Sequence, residues 1–352
     1  MRRSRRGATL LSVTITTWKP PDRSHSPVNS SSHQEFPHLA DLVGVGPAPT
    51  AHDRRTALRT ALREATAGAG PLLLPGVTDA LGARLVEAAG FGAAYATGAG
   101  LANAQYGLPD LGLVSLGEVA DHVGRITEAT RLPVVVDADT GYGGPLAAMR
   151  TMRLLERAGA AGIQLEDQEM PKRCGHFDSH TLIPLGHMQA KIAAVLDARE
   201  DDATVLVART DARSAEGIDR AVERARAYVE AGADVIFVEA PRTVAELTLV
   251  GRELAGTPLV VNVVEGGKTP HLSAQEYADL GFTVVLHANY LMRSMMSAGR
   301  AALAHLAAAG ETVTRAEQMA TWSERQSLFH LPAFTAAEAY FDQPLDVLRS
   351  ER

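Results

Sequence analysis

From about Thr56 onward the chain alternates short β-branched runs with alanine-rich amphipathic stretches, and this alternation limits the fold more than any other feature of the sequence. β-branched side chains suit the doubly covered strands of a parallel sheet, whereas apolar positions three and four apart give a helix one buried face. Eight strands are predicted: Pro71–Leu74, Ala93–Gly98, Pro133–Asp139, Gly162–Asp167, Thr204–Asp211, Asp234–Ala240, Pro258–Val263 and Phe282–His287. Helices are predicted between them over Thr78–Gly90, Leu116–Thr130, Pro145–Gly159, Leu185–Arg199, Gly217–Gly232 and Val244–Leu254, several closing on the glycine that follows a helix C-terminus. Parallel strands must be joined by crossovers, so eight such units close most economically into an α/β fold, a (β/α)8 TIM-type barrel, and Thr56–His287 has the usual length of one. An open doubly wound sheet is the competing arrangement. It would gather polar residues at one switch point, whereas here they stand at the C-terminal ends of many strands. Residues 56–309 therefore read as the barrel domain, and 310–352 as additional C-terminal helices that pack on it or exchange with a neighbouring subunit, with helical stretches around Thr314–Gln326 and Pro332–Phe341 after Tyr290–Ala309.

The 352-residue chain is 46% hydrophobic, enough to fill a globular core, and its single cysteine excludes an internal disulfide. A net charge of −7 supplies no global basic field for nucleic acid, and no apolar run reaches the length of a membrane span. A reducing, cytoplasmic setting and a metabolite-sized anionic ligand are expected. Residues 1–55 differ in character: Arg2, Arg3, Arg5 and Arg6 precede a threonine-rich patch, Lys19-Pro-Pro-Asp-Arg23 and the run Ser30 to Ser32. A secretory signal would need a more apolar middle and a small-residue cleavage site, so the stretch reads as a disordered extension without catalytic residues. An organelle-targeting peptide and an upstream start codon are the competing readings.

In a barrel the chemistry sits at the C-terminal ends of the strands. Strand 2 ends Tyr95-Ala-Thr-Gly-Ala-Gly100, whose amides could cradle a carboxylate or phosphate beside the Thr97 hydroxyl. Strand 3 ends Asp137-Ala-Asp139, two positions apart and so expected on one face, and strand 4 ends Glu166-Asp167. Asp137, Asp139 and Glu166 form an oxygen-only set suited to Mg2+, with Mn2+ able to substitute. The bland reading is that these acids cap helices or pair with Arg209. Strand 5 ends Arg209-Thr-Asp211, strand 6 Glu239, strand 7 Asn262 with Glu265 beyond it, and strand 8 His287. Arg209 is the natural clamp for a substrate carboxylate, its alternative role being a structural ion pair with Glu239. Cys174 lies in Pro171-Lys-Arg-Cys-Gly-His176, where neighbouring cations stabilise its thiolate and His176 could orient it or bind substrate. His180 and His187 lack such a context.

Taken together, Gly107-Leu-Pro-Asp-Leu-Gly112, Asp137-Ala-Asp-Thr-Gly141, Leu165-Glu-Asp-Gln168, Lys172-Arg-Cys-Gly-His176, Ala208-Arg-Thr-Asp-Ala212 and Asn262-Val-Val-Glu-Gly-Gly-Lys-Thr-Pro270 resemble the phosphoenolpyruvate mutase/isocitrate lyase superfamily, over about Leu72 to Phe341. The cysteine loop is similar to that of the carbon–carbon lyases that act on 2-methylisocitrate, dimethylmalate or oxaloacetate. The resemblance implies a Mg2+-dependent lyase that cleaves a small di- or tricarboxylate by retro-aldol chemistry, with Cys174, Arg209, Lys172 and His176 catalytic. It further implies that Asp137, Asp139, Asp110 and Glu166 lie in or around the metal shell, with Asp137 as direct ligand. Tyr95, Thr97, Gly98, Ala99, Arg173, Gly175, Glu239 and Asn262 would bind substrate, and Lys172 to His176 would form a mobile loop. Relatives are commonly homotetramers that exchange a C-terminal helix; for this chain no nucleic-acid or membrane partner is expected. A carboxyphosphonoenolpyruvate-type phosphonomutase, which retains a similar cysteine loop, is the alternative, and a non-catalytic metabolite-binding protein is a more distant one.

Overall fold

In a computed structural model that describes residues 49–170, 172 and 181–343, eight parallel strands close into a barrel in the order β1 to β8. They are β1 (Leu72–Val77), β2 (Ala94–Ala96), β3 (Val134–Asp137), β4 (Gly162–Glu166), β5 (Val205–Thr210), β6 (Val235–Val238), β7 (Leu259–Asn262) and β8 (Val284–His287). Around them run α1 (Ala51–Thr66), α2 (Ala80–Ala88), α3 (Gly98–Tyr106), α4 (Leu116–Ala129), α5 (Pro145–Arg157), α6 (Leu185–Ala198), α7 (Ala212–Ala215), α8 (Ile218–Glu230), α9 (Val244–Glu253) and α10 (Ala274–Asp279). After β8 follow α11 (Tyr290–Ala309), a 3-10 turn (Val313–Gln318), α12 (Trp322–Leu328) and α13 (Leu331–Phe341).

Strand alternation divides the core in two. Leu74, Tyr95, Val135, Val207, Phe237, Val260 and Leu286 point into the barrel, whereas Ile163, Leu206, Ile236 and Val285 point outward against the helices. The interior is a packed core with only a narrow apolar cavity, bordered by Leu58, Leu74, Val135, Val207, Val260 and Leu286. Leu58 and Leu62 belong to α1, which closes the N-terminal end of the barrel. Arginines fasten it there: Arg54 Nη1 donates to the Thr127 carbonyl at 2.9 Å, Arg55 Nε to that of Ala160 at 3.1 Å, and Arg59 Nε to that of Ala203 at 2.9 Å. One seam admits no side chain, because a Cβ on Gly76 would stand 1.8 Å from the Ala288 carbonyl oxygen.

The eight-strand barrel matches the sequence expectation. The disordered extension was drawn too long, because α1 begins at Ala51: Thr50 caps it in a capping box with Asp53, and Leu58 and Leu62 give it a buried face. Residues 1–48 and 344–352 lie outside the described residues. Helix α3 was not anticipated, since two glycines in its first turn lower helix propensity. The predicted strand over Ala93–Gly98 is correspondingly cut to three residues, because Thr97 turns the chain and caps α3. The single stretch predicted around Thr314–Gln326 resolves into the 3-10 turn and α12, the latter started by the Thr321 cap.

Candidate active site

Inward-pointing residues change from apolar to polar at one level of the barrel. Below lie Val135, Val207 and Val260; above them stand Asp137 on β3, Gln164 and Glu166 on β4, Arg209 on β5, Glu239 just past β6 and Asn262 on β7. Glu166, Arg209, Glu239 and Asn262 are all at least nine-tenths buried. Polar groups this deep need partners, and most have them.

Arg209 is the hub of one half. Its Nε and Nη2 donate to Asp211 Oδ2 and Oδ1 at 3.0 and 2.8 Å, Nη1 pairs with Glu239 Oε2 at 3.2 Å, and Nε lies 3.5 Å from Glu166 Oε2. Its plane rests on Phe237, 5.1 Å from the ring centroid. Burial works against the guanidinium charge, but Asp211, Glu239 and Glu166 outweigh it and strengthen its hold on the proton. Asn262 Nδ2 donates to Glu239 Oε2 at 3.4 Å, extending the cluster to β7. Of the two roles considered for Arg209, the structure shows the ion pair with Glu239.

Asp137 anchors the other half. Its Oδ1 accepts from Gln164 Nε2 and from the Asp139 amide, both at 3.2 Å, and its Oδ2 accepts from the Gly98 amide at 3.3 Å. Tyr95 OH donates to Gln164 Oε1 at 3.0 Å. Thr97, expected to hold substrate, uses its hydroxyl to accept the Gly100 amide at 3.3 Å as the cap of α3, and Ala99 sits in the first turn of that helix. Asp139 does not share the strand face of Asp137 as alternation suggested. It lies beyond β3 with φ 47°, outside the strand's alternation, and its amide turns back to Asp137 Oδ1.

Lys172 reaches into this half from the cysteine loop. Only 4% exposed, its ammonium pairs with Asp110 and, at 2.8 Å, with Asp139. Burial alone would drive Lys172 toward the neutral amine, but Asp139, Glu166, Asp137 and Asp110 outweigh it and hold the proton more tightly than usual. Burial raises Asp139 to about 6 despite Lys172, with the charges of Asp137 and Asp110 adding to the rise. Burial likewise lifts Glu166 well above the ordinary carboxylate range, against the pull of Arg209.

The expected metal shell is not gathered into one cluster. Among the described residues no group of three or more His, Cys, Asp or Glu side chains is arranged to hold a metal ion, and Asp110 and Asp139 face Lys172 instead. Among the oxygens a cation could take are Asp137 Oδ2, with its one long amide contact, and Glu166 Oε1, which is buried without a hydrogen-bond partner. That suits Mg2+, which commonly takes one or two carboxylates and keeps its waters.

Of the remaining predicted residues, Arg173, Cys174, Gly175 and His176 lie outside the described residues, as does His180. His187 is exposed. Three strand-end residues face away from the site because they have the outward parity or lie past the strand. His287 meets Tyr290 edge to face at 6.4 Å between ring centroids, Glu265 pairs with Arg293 at 3.1 Å, and Asp167 accepts from Thr210 Oγ1 and Tyr228 OH, both at 2.7 Å. Sequence reasoning missed Gln164, Asp211 as the seat of Arg209, and Phe237 beneath it. Each lies two positions from a residue that was singled out, so strand parity alone could have found them.

Known proteins resemble this chain in sequence and fold. Residues 62–307 match the family described as phosphoenolpyruvate phosphomutase. A probable 2-methylisocitrate lyase of Corynebacterium glutamicum is 42% identical over 307 residues, 87% of this chain and 95% of that protein. The crystal structure of a 2,3-dimethylmalate lyase superposes with a TM-score of 0.77 at 35% identity, covering 84% of this chain and 97% of that one. A phosphonopyruvate hydrolase in complex with oxalate and Mg2+ superposes with a TM-score of 0.74 at 28% identity, covering 82% of this chain and 99% of that one. Because the family match takes in nearly the whole barrel and a lyase relative spans most of the chain, this protein belongs to the phosphoenolpyruvate mutase/isocitrate lyase superfamily and is a carbon–carbon lyase within it.

Proposed function

We propose that the barrel mouth cleaves a carbon–carbon bond of a 2-hydroxy dicarboxylate of the substituted malate or methylisocitrate type, or of a 2-oxo dicarboxylate, by retro-aldol-type chemistry. The observation that carries this reading is the buried Arg209, held in a fixed plane by Asp211 and Phe237 on the same side of the mouth as Glu166 and Glu239. A guanidinium set in advance costs little reorganisation when charge develops on a substrate carboxylate or enolate. Lyase names among the relatives favour cleavage over the phosphonomutase alternative.

In the forward step a carboxylate of the acid cluster takes the substrate hydroxyl proton. The oxygen's electron pair forms the carbonyl of a 2-oxo acid, or a carboxyl of oxalate when water has first added to a 2-oxo substrate and the hydrate supplies the hydroxyl, and the pair of the broken bond stays on the departing fragment. Cys174 gives a proton to that carbon, with Lys172 and His176 in the same loop assisting. Mg2+ held at Asp137 and Glu166, or Mn2+ in its place, would supply Lewis-acid stabilisation of the negative charge developing on the substrate oxygens. A structural relative with oxalate and Mg2+ supports that choice. The Gly98 and Ala99 amides at the start of α3 and the side chains of Thr97, Tyr95 and Asn262 complete the substrate surface, together with Arg173 and Gly175.

Assembly as a homotetramer that exchanges a C-terminal helix belongs to the same proposal. None of the 20 residues of α11 is buried, and an apolar groove of about 320 Å³ beside β1 and α2, including Leu73, Pro75 and Phe91, is open to receive a helix. Incubation with dimethylmalate, 2-methylisocitrate and oxaloacetate in the presence of Mg2+, followed by assay of pyruvate or oxalate, tests the reaction. Release from one of the three is expected; inertness toward all, with phosphonate formed from a separately supplied carboxyphosphonoenolpyruvate-type substrate and seen by phosphorus NMR, would overturn it.

A further inference from the structure

The geometry points to Gln164 as a positioning residue for Asp137, locked in orientation by Tyr95, so that one carboxylate oxygen is committed to the protein and the other is left for a divalent cation. The inference rests on the proposed metal site and adds to it two residues that act through a third.

Gln164 is 1% exposed and sits where the apolar interior meets the polar mouth, bordering the apolar cavity on one side and Asp137 on the other. β3 and β4 place it directly beside Asp137 in the strand register. A carboxamide there has two distinct ends, an acceptor and a donor. Its Oε1 accepts from Tyr95 OH at 3.0 Å and its Nε2 donates to Asp137 Oδ1 at 3.2 Å. Turned over, Gln164 would set its oxygen against a carboxylate oxygen, so the charge on Asp137 and the Tyr95 hydroxyl select the same orientation. Tyr95 is 3% exposed and bounds the same apolar cavity, which fixes its ring.

The two oxygens of Asp137 consequently differ. Oδ1 takes the Gln164 amide and the Asp139 backbone amide, which occupy its lone pairs. Oδ2 takes only the Gly98 amide at 3.3 Å, at the long end for an N–H···O bond. Without Gln164 the carboxylate could rotate about χ2 and share its contacts between both oxygens. A hydrogen bond to a charged group contributes roughly 1.5–3 kcal/mol, which corresponds to about tenfold or more in a binding constant.

The test is calorimetric titration of Mn2+ into the full-length wild type, Gln164→Met, Tyr95→Phe, the double variant and Asp137→Ala. Gln164→Met keeps length and volume while removing both hydrogen bonds, and should weaken Mn2+ binding about tenfold. Turnover lost at low Mn2+ should return when Mn2+ is raised. Tyr95→Phe should weaken Mn2+ less, and the double variant should bind no more weakly than Gln164→Met, because Tyr95 acts through Gln164. A purely structural role would lower the melting temperature and leave the Mn2+ dissociation constant in place. That outcome overturns the positioning role while leaving the metal site intact. If Gln164→Met does not fold, Tyr95→Phe carries the test: unchanged Mn2+ affinity overturns the proposal. Equal Mn2+ binding by wild type and Asp137→Ala overturns the metal site itself, and the positioning role with it.

Discussion

At the scale of single residues, the site is an accounting of charge. Arg209 turns its three nitrogens toward Asp211, Glu239 and Glu166 in a geometry that a planar fork satisfies. Arg209→Lys keeps the charge and loses the fork, so turnover should fall on the order of 10²–10³-fold, the range seen when one preorganised donor to a developing charge is removed. Steady-state kinetics checks this, and a change confined to KM would count against a role in the chemical step. Cys174→Ser should lower turnover about 10²–10⁴-fold, the usual share of a general acid, with Mn2+ affinity retained. Wild-type turnover by that variant would remove Cys174 from the mechanism. Asp137, Glu166, Arg209 and Glu239 were legible in the sequence because charged residues at barrel strand ends are conspicuous. Gln164 and Phe237 were passed over because an amide or a ring in a strand is ordinary by type; only their inward parity with Glu166 and Glu239, beside Asp137 and Arg209 on the neighbouring strands, marks them. Asp139 was legible as an acid, but its left-handed backbone, which decides where it points, leaves no mark in residue type.

At the scale of elements, the barrel could be read from period and composition, whereas the pieces that join it to its ends could not. Helix α3 hides behind two glycines, and the start of α1 fell inside the stretch read as an extension up to residue 55. Its docking rests partly on Asp201, which accepts from Arg55 Nη1 at 2.8 Å. Burial tends to raise the Asp201 pKa, but the hydrogen bonds from Arg55, the Ala203 amide and His52, with the Arg55 charge, bring it down to about 2. Because this folded value lies below the unfolded value of about 3.9, the stabilisation is complete above pH ~4 and disappears as pH falls through about 2. Asp201→Asn should therefore melt below wild type at neutral pH, with the gap closing between pH ~4 and ~2 in thermal scans. A gap independent of pH would show that the carboxylate charge is not what matters. At the other end of the barrel wall, Gly76→Ala sets a methyl group against the Ala288 carbonyl, a backbone contact that cannot yield cheaply. A loss of roughly 3 kcal/mol or more is expected in denaturant unfolding, at the upper end for overpacking.

At the scale of the whole molecule, the helix α11 is left unburied by the described residues. Met295, Met296, Leu303 and Leu306 of α11 are exposed and the groove beside β1 is open, which is the surface the proposed tetramer would cover. Light scattering should report a tetramer, and charges placed at Leu303 and Leu306 should dissociate it; a wild-type monomer would refute the exchange. Among the described residues no helix is long and apolar enough to cross a membrane. The most direct test of the central claim is the initial rate of pyruvate or oxalate release from the three candidate acids, measured with Mg2+ and with a chelator, for wild type and Asp137→Ala. The account predicts cleavage of at least one acid by the wild type, dependent on Mg2+ and abolished in Asp137→Ala. Cleavage that survives both the chelator and the substitution, or no cleavage of any acid by metal-loaded wild type, would contradict it.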